Sequence, residues 1–192
     1  MINDLGIVIL AAGESSRLGR PKQLLEDKGE LLLRKVIRQA ESTKLPVITV
    51  LGAYYEIIKA KIHTQTVFNS EWKLGMGTSV KAGLNYISSQ FSDLEAVLFL
   101  VADQPLLSSA ILHALVTEFR NGNQLVACNY NGINGVPALF GKQYFTELLG
   151  LPDNSGAQLL LRKYSDECVL VKFEEGMLDI DTEKDWLNYL NS

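Results

Sequence analysis

The sequence predicts a single-domain α/β protein in which helices cover both faces of a mostly parallel mixed sheet, giving three α/β/α layers. Short apolar runs of strand length alternate with segments of helical spacing along the chain. No internal repeat or low-complexity linker interrupts this alternation. The length of 192 residues fits one domain, which we predict to span residues 1–192.

The elements follow one another in a regular order. The first strand is predicted at residues 6–10, where a continuous apolar run stops at a glycine-containing loop, as in strands buried on both faces. A short helix over 54–62 places Ile57, Ile58 and Ile62 on one face. Further strands are predicted at 46–52, 66–68, 96–102, 125–128, 137–140 and 169–173. Further helices are predicted at 31–43, 78–91, from a cap at Ser108 or Ser109 to about 121, and at 142–149, 157–164 and 183–190.

Composition narrows the classes of function. The formal net charge of -4 argues against a broad contact with nucleic acid as the main role. Residues 1–4 carry no positive run, and no apolar run reaches the length of a membrane span. We therefore expect a cytoplasmic protein without a nucleic-acid or membrane partner. Cys128 and Cys168 fit no metal spacing, so buried free thiols are expected.

A glycine loop follows the first strand, and residues 10–22 read LAAGESSRLGRPK. Small residues there let the backbone approach a ligand, and Gly13, as a glycine, can adopt a positive φ. Free N–H groups in such a turn bind anions, Arg17 offers a planar fork for phosphate oxygens, and Lys22 offers a point charge. The spacing matches neither the Walker loop nor the dinucleotide fingerprint. A plain turn with solvated basic residues, among them Arg20, is the alternative.

Two further regions suggest a ligand site. The segment 75–79 precedes a helix that Thr78 could cap, leaving N–H groups for an anion or a base carbonyl. Asp103 ends the most apolar strand, and Asp181 follows a short apolar segment before the last helix. Two carboxylates at separate strand ends suit Mg²⁺ bound to a triphosphate. The alternatives are a turn-capping Asp103 and an N-cap at Asp181.

Five segments in order resemble the motifs of one family. They are the loop at 10–22, NSEWKLGMGTSVKAG at 69–83, ADQP at 102–105, the pair GVPALF at 135–140 and SGAQ at 155–158, and DIDTEKD at 179–185. Together they resemble the nucleotidyltransferases related to molybdenum cofactor cytidylyltransferase, the MobA-like NTP transferases. The resemblance extends over nearly the whole chain. It implies a Rossmann-like nucleotide-diphospho-sugar transferase fold of the GT-A type.

The resemblance also implies roles on the donor side. It makes Asp103 and Asp181 ligands of Mg²⁺, with Asp179 as the substitute for the second ligand. The catalytic residues would be Arg17, Lys22, Asp103 and Asp181. The nucleotide would contact Leu10, Ala11, Ala12, Gly13, Ser15, Ser16, Arg17, Lys22, Gly75, Thr78, Ser79 and Asp103. Guanylyl enzymes of the superfamily tend to carry two glycines where Ala12 and Gly13 stand, so CTP is the expected donor. Trp72 is expected to be a packing anchor.

The acceptor side is implied less completely. The residues that would line it are Gln104, Pro105, Gly135, Pro137, Asn154 and Ser155. Val136 stands where the family often has a basic or histidine residue, which leaves the acceptor open. We expect molybdopterin, with a molybdoenzyme or its chaperone as a possible partner. The alternatives are cytidylyl transfer to another phosphate, such as 2-C-methyl-D-erythritol 4-phosphate, and a nucleotide-binding accessory protein without turnover.

Overall fold

A computed structural model describes residues 4–191, so residues 1–3 and 192 of the predicted domain lie outside the described part. The strands are β1 (Leu5–Ala11), β2 (Glu26–Asp27), β3 (Glu30–Leu31), β4 (Val47–Leu51), β5 (Gln65–Phe68), β6 (Ala96–Val101), β7 (Leu125–Tyr130), β8 (Ile133–Gly141) and β9 (Val169–Lys172). The helices are α1 (Leu32–Glu41), α2 (Tyr55–Lys59), α3 (Met76–Gln90), α4 (Ser109–Arg120), α5 (Phe145–Leu149), α6 (Gln158–Lys163) and α7 (Glu183–Leu190). Single 3-10 turns lie at Lys22–Leu24, Trp72–Leu74, Lys142–Tyr144 and Glu174–Met177.

Seven strands form one sheet in the order β5-β4-β1-β6-β8-β7-β9, while β2 and β3 form a separate small hairpin. β1 pairs in parallel with β4 on one side and with β6 on the other. β8 runs antiparallel to both β6 and β7, so the sheet is mostly parallel and mixed, as predicted. The chain order reverses between β1 and β6, and ligands of such sheets bind beyond the carboxyl ends of the strands at this point.

The core lies on both faces of the sheet. Along β1, Ile7 and Ile9 face one hydrophobic cluster while Val8 faces the other, because successive strand residues alternate between faces. α1 and α4 cover the first face, and α3, α5 and α6 cover the second. Phe99 of β6 is fully buried, and truncating such a side chain to alanine costs about 3–5 kcal/mol. This packing confirms the predicted three layers.

A third, smaller cluster joins the loop after β1 to the C-terminal helix. Leu18 and Leu25 from the loop region pack against Ile180 and Trp186. The backbone N–H of Ile180 also donates to the carbonyl of Asp103 at 3.1 Å. These contacts bring the segment before α7 to the carboxyl end of β6, although the two are far apart in sequence.

Some expectations for individual residues are wrong. Ile57 is 54% exposed while Ile58 is fully buried, because successive helix residues point about 100° apart and α2 has only five residues. Ser108 occupies the N-cap of α4, but its hydroxyl makes no capping bond.

Cys128 is buried and Cys168 half-buried, and both are free thiols. Across residues 4–191, no helix has the length and apolarity needed to cross a membrane.

Candidate active site

Two adjoining clefts lie beyond the carboxyl ends of β1 and β6. The large cleft has a volume of about 680 Å³ and reaches from the loop after β1 to the loop before α6. The small cleft has a volume of about 280 Å³ and lies between the glycine loop and the start of α3. Leu10 and Met76 line both clefts, so one ligand can occupy the two together.

Lys22, Asp103 and Asp181 meet in the large cleft. The Nζ of Lys22 lies 2.7 Å from Oδ2 of Asp103 and 2.9 Å from Oδ1 of Asp181. Asp181 also accepts from Nη2 of Arg17 at 2.7 Å, through its other oxygen. The Arg17 side chain is largely exposed, whereas that of Lys22 is only 13% exposed. The two carboxylates therefore converge on one cationic position at the floor of the cleft.

Electrostatics keep this cluster charged. Burial alone would lower the pKa of Lys22, but the charges of Asp103 and Asp181 outweigh it and raise that pKa. Burial opposes ionisation of Asp181, yet Lys22 and Arg17 hold its pKa below the ordinary value. An ammonium with a raised pKa and a carboxylate with a lowered pKa are both ionised at neutral pH. A phosphate that enters the cleft therefore meets a charged lysine.

Asp179 adds a third carboxyl group to the same wall. Ile180 is buried, and both of its aspartate neighbours line the cleft. Asp179 is accessible to water in the cleft, yet protein surrounds it closely enough for loss of solvation to raise its pKa to about 7. Loss of solvation is the largest cause of this rise, and the charges of Asp103 and Asp181 contribute to it in the same direction. A pKa of about 7 leaves Asp179 partly ionised at neutral pH, so it adds a fraction of a negative charge to a cluster in which Lys22 and Arg17 balance Asp103 and Asp181.

The loop after β1 presents free backbone donors. Within residues 4–191, the N–H groups of residues 13–17 have no hydrogen-bond acceptor. The buried side chain of Gln23 fixes the loop by donating from Nε2 to the carbonyls of Ala11 at 2.9 Å and Gly13 at 3.0 Å. Ser15 has a φ of 58°, and its backbone carbonyl closes the following turn by accepting from the N–H groups of Leu18 and Gly19. Consecutive free N–H groups of this kind bind anions.

Gly13 does not use the positive φ that glycine permits. Its φ lies outside the left-handed region, so the backbone does not require glycine there. A Cβ built on Gly13 would meet no protein atom within 4 Å, and the residue lines the small cleft. The space left by its missing side chain is thus open to a ligand.

The segment before α3 is held by a buried polar network. The N-cap of α3 is Gly75, so the expected cap at Thr78 is wrong. The Thr78 hydroxyl lies 2.8 Å from the Gly75 carbonyl and accepts from Nδ2 of Asn69 at 2.8 Å. The same amide nitrogen lies 3.0 Å from the hydroxyl of Ser79, which lines the small cleft. Thr78 therefore stabilises the segment from within, while Ser79 is available to a ligand.

The start of α3 packs directly on the loop at 152–156. The N–H of Gly77 donates to the carbonyl of Asp153 at 2.9 Å, and a Cβ on Gly77 would lie 2.2 Å from the carbonyl oxygen of Pro152. A Cβ on Gly75, whose φ is 129°, would lie 2.6 Å from the Cα of Asn154. Only glycine permits this contact, which joins the small cleft to the far end of the large one.

The far end of the large cleft has neutral walls. Gly135, Val136, Asn154 and Gln158 line it, and so does the half-buried Tyr130. Gln104 is 2% exposed and donates from Nε2 to the carbonyls of Val136 and Gly176, each at 3.1 Å. Its Oε1 is buried and has no partner within the described residues. This end therefore offers hydrogen bonds but no charge.

Several residues expected in the site lie outside both clefts. Ala11 faces the opposite side of the sheet from Leu10 and Ala12, because strand residues alternate. Ser15 uses its hydroxyl oxygen to accept from the Lys22 N–H at 3.2 Å, and Ser16 is exposed on the turn. Four further expected residues do not line either cleft. Three of them are buried, namely Thr78, Pro105 and Pro137, and the fourth, Ser155, contacts the start of α3. Arg20 pairs with Glu183 on the surface, in agreement with its expected exposure.

The fold also brings to the site residues that were not among those predicted from the sequence. Met76, Tyr130 and Gln158 line the clefts, and Trp72 lines the small cleft while packing on the core. Gln23 is buried under the loop rather than lining a cleft. A period-two pattern could have excluded Ala11, but no local signal marks the neutral residues, since their positions depend on tertiary packing.

The residues present fit a hard divalent cation. Asp103 and Asp181 supply carboxylate oxygens that already converge on the Lys22 ammonium. Within residues 4–191, no group of three or more His, Cys, Asp or Glu side chains is arranged as a closed metal site. Magnesium commonly takes one or two protein carboxylates and completes its shell with water and phosphate oxygens.

Known proteins resemble this chain over most of its length. The family model described as MobA-like NTP transferase domain matches residues 7–168. The purine catabolism protein PucB of Bacillus subtilis is 31% identical, across 93% of this chain and 92% of that protein. The molybdenum cofactor cytidylyltransferase of Escherichia coli is 26% identical, across 94% and 92%.

Solved structures share the fold. A homologue of Rv0371c from a Mycobacterium species has a TM-score of 0.87 and 25% identity, covering 100% of this chain and 97% of that one. A manganese complex of Mycobacterium tuberculosis Rv0371C has a TM-score of 0.82 and 22% identity, covering 98% and 99%. The 4-diphosphocytidyl-2C-methyl-D-erythritol synthase of Anaerococcus prevotii has a TM-score of 0.75 and 16% identity, covering 97% and 94%.

Proposed function

The chain belongs to the family of MobA-like NTP transferase domains and is a nucleotidyltransferase, and from this premise we propose that it transfers CMP from CTP to the phosphate of molybdopterin. Pyrophosphate is the second product. The observation that carries the proposal is the meeting of Lys22, Asp103 and Asp181 beside the free N–H groups of residues 13–17. We further propose that residues 1–192 form one catalytic domain.

Charge repulsion is the obstacle that this reaction must overcome. An oxygen of the acceptor phosphate forms a bond to the α-phosphorus of CTP, and the bond from that phosphorus to the departing pyrophosphate oxygen breaks. Both reactants are anions. Lys22, Arg17 and the loop N–H groups offset the repulsion by facing the phosphates with fixed positive charge and dipoles. No nucleophilic side chain is needed.

Asp103 and Asp181 are the residues that we propose to hold Mg²⁺. The ion would neutralise charge on the α-phosphate and on the leaving pyrophosphate. The fraction of a negative charge that Asp179 adds to the cluster supports this assignment. A manganese complex of a protein with the same fold is consistent with it.

The small cleft supports a pyrimidine base. Ala12 and Gly13 both line it, and the methyl group of Ala12 takes up room that a second glycine would leave for a purine. Ser79 offers a hydroxyl at the same cleft, and hydrogen bonds to a base edge discriminate strongly between bases. We therefore propose CTP as the donor.

Molybdopterin is the acceptor that we propose, and the Escherichia coli relative named for molybdenum cofactor cytidylyl transfer supports it. Methylerythritol phosphate stays the competing acceptor, because the neutral far end of the cleft contains no cation specific to either substrate. The accessory protein without turnover is set aside, since the family is catalytic. In this proposal the protein acts in the cytoplasm, needs no nucleic acid or membrane, and passes its product to a molybdoenzyme or its chaperone.

A pyrophosphate-release assay tests these assignments. Each of CTP, GTP, ATP and UTP is supplied with Mg²⁺, together with either molybdopterin or methylerythritol phosphate. We expect the fastest release with CTP and molybdopterin, and none without Mg²⁺. A faster reaction with GTP would exclude CTP as the donor. A faster reaction with methylerythritol phosphate would exclude molybdopterin as the acceptor.

A further inference from the structure

A third cleft opens beside the neutral end of the large cleft. It has a volume of about 350 Å³, and we call it the Arg162 cleft after its one charged lining residue. Ile133 and Gln158 belong to its wall and to the wall of the large cleft. A molecule whose phosphate lies in the large cleft can therefore continue into the Arg162 cleft without leaving the protein surface.

Unlike the other arginines, Arg162 donates to neither a carboxylate nor a backbone carbonyl within the described residues. Arg17, Arg20, Arg38 and Arg120 each donate to a carboxylate, and Arg34 donates to a backbone carbonyl. Within the described residues, the guanidinium of Arg162 forms no ion pair, and its contact with Oε1 of Gln158 is long, at 3.4 Å. A guanidinium that lines a cleft and lacks a carboxylate partner is free to bind a ligand.

The rest of the Arg162 cleft suits a flat ring system. Ile133 is 48% exposed and presents an apolar side chain there, with the fully buried Leu161 behind it in the wall. Asn134 and Ser165 add polar groups around this side chain. A guanidinium plane stacks on aromatic rings and donates in pairs to a carbonyl and an adjacent ring nitrogen. Sites for heterocyclic ligands commonly combine an apolar contact with polar groups that fix the orientation of the ring, and Ile133 with the polar residues around it provides both.

We propose that the Arg162 cleft binds the part of the acceptor remote from its reacting phosphate, and that this part is a planar, carbonyl-bearing heterocycle. The proposal rests on the proposed function and deepens it by assigning a subsite. A small polyol phosphate fits within the large cleft and does not reach Arg162. Arg162 is therefore a specificity-determining residue that selects extended acceptors over short ones.

The test compares Arg162→Ala and Arg162→Lys with wild-type enzyme. Lys163→Ala is the matched control, because Lys163 is the next residue on α6 and pairs with Glu147 outside the cleft. With molybdopterin as acceptor, Arg162→Ala is expected to raise the acceptor KM about 10- to 100-fold, the loss of a charge-assisted hydrogen bond. Arg162→Lys should recover part of this loss. The KM for CTP should not change in any of the variants.

A binding measurement without turnover separates the two proposals. Free 6-hydroxymethylpterin, which has no phosphate, serves as the probe, and its fluorescence reports binding to the wild-type protein. We expect the Arg162→Ala variant to bind it at least about tenfold more weakly, and Lys163→Ala to bind it as wild type does. Equal affinities of wild type and Arg162→Ala would overturn the assignment of the cleft. Absence of nucleotidyl transfer to any acceptor by the wild-type enzyme would instead overturn the proposed function.

Discussion

The two ends of the large cleft differ in the kind of polar group that lines them. The end beside the glycine loop contains Lys22, Asp103, Asp179 and Asp181, whereas the far end offers amides, a phenol and backbone groups. Charged groups act on any phosphate, so the first end can perform the chemistry without selecting an acceptor. Neutral groups act through shape and hydrogen bonds, so the second end can select an acceptor without driving the reaction. This difference predicts separate kinetic signatures for substitutions at each end.

Asp103→Asn should have the largest effect, because it removes a charge from the position where we propose that the phosphates react. We expect kcat to fall about 10²–10³-fold, as for other losses of one electrostatic stabiliser. Pyrophosphate release at saturating CTP and acceptor measures it. Glu183→Gln is the control, since its exposed pair with Arg20 contributes little. If Asp103→Asn lowered kcat no more than Glu183→Gln does, the proposed difference between the two ends of the cleft would be wrong.

Lys22→Met should come next and should change two measurements in opposite directions. The kcat/KM for CTP is expected to fall about 10- to 100-fold, because a charged partner of the phosphates is lost. Binding of Mn²⁺ without nucleotide, followed by electron paramagnetic resonance, should become tighter, because the ammonium that now lies between Asp103 and Asp181 no longer competes. Lys142→Met, which removes an exposed pair with Glu95, should change neither. Weaker Mn²⁺ binding in Lys22→Met would contradict this interpretation.

Gly13→Ala should raise the KM for CTP about tenfold without changing the melting temperature, since a methyl group there meets only the space of the small cleft. Gly77→Ala provides the contrast. Its methyl group would overlap the carbonyl of Pro152, so we expect a stability loss of about 1–3 kcal/mol and a raised KM for the acceptor. Thermal denaturation and steady-state kinetics measure both. A destabilised Gly13→Ala would show that the glycine serves the fold rather than the ligand.

Asp179 should produce the smallest effect, visible as a pH dependence of stability. Its pKa is 3.8 when unperturbed and about 7 in the folded protein, so the folded state retains the proton longer. The stabilisation present below pH 4 is therefore lost as the pH rises through 7. Because water in the cleft screens the charge of Asp179, we expect the free energy of unfolding of Asp179→Asn, relative to that of wild type, to rise by only about 1 kcal/mol between pH 5 and pH 8.

Urea denaturation in metal-free buffer at the two pH values measures this gain. Asp93→Asn, at an exposed aspartate outside the clefts, is the control and should show no such difference. The charged groups that act on Asp179 are Asp103, Asp181 and Lys22. An equal stability difference at both pH values would mean that Asp179 keeps an ordinary pKa.

The sequence predicts the charged end of the cleft better than the neutral end. Asp103 can be found from the sequence because a carboxylate after an apolar strand is costly unless a partner or a ligand compensates it, and Lys22 because it follows a glycine loop of the kind that binds anions. Tyr130 and Gln158 have no such cost, and only the packing of β7 and α6 brings them to the cleft. The sheet could be predicted because its apolar runs have strand length.

Local geometry explains the remaining differences from prediction. Gln23 follows Lys22 in a 3-10 turn, and its importance depends on two loop carbonyls that no pattern reveals. Thr78 has the residue type of a helix cap, yet the N-cap of α3 lies three residues earlier, at Gly75, where the loop at 152–156 approaches closely. In both cases the difference involves a contact that the local sequence does not reveal.

The glycine contact between α3 and the loop at 152–156 also constrains how such a protein can diversify. The segment that lines the small cleft and the loop that lines the far end touch through backbone atoms, with no side chain between them to absorb a shift. A lengthened or shortened loop would move the start of α3 as well. If the two clefts bind the donor base and the acceptor as we propose, donor preference and acceptor preference are structurally linked, and relatives with a different acceptor are expected to carry compensating changes at the start of α3.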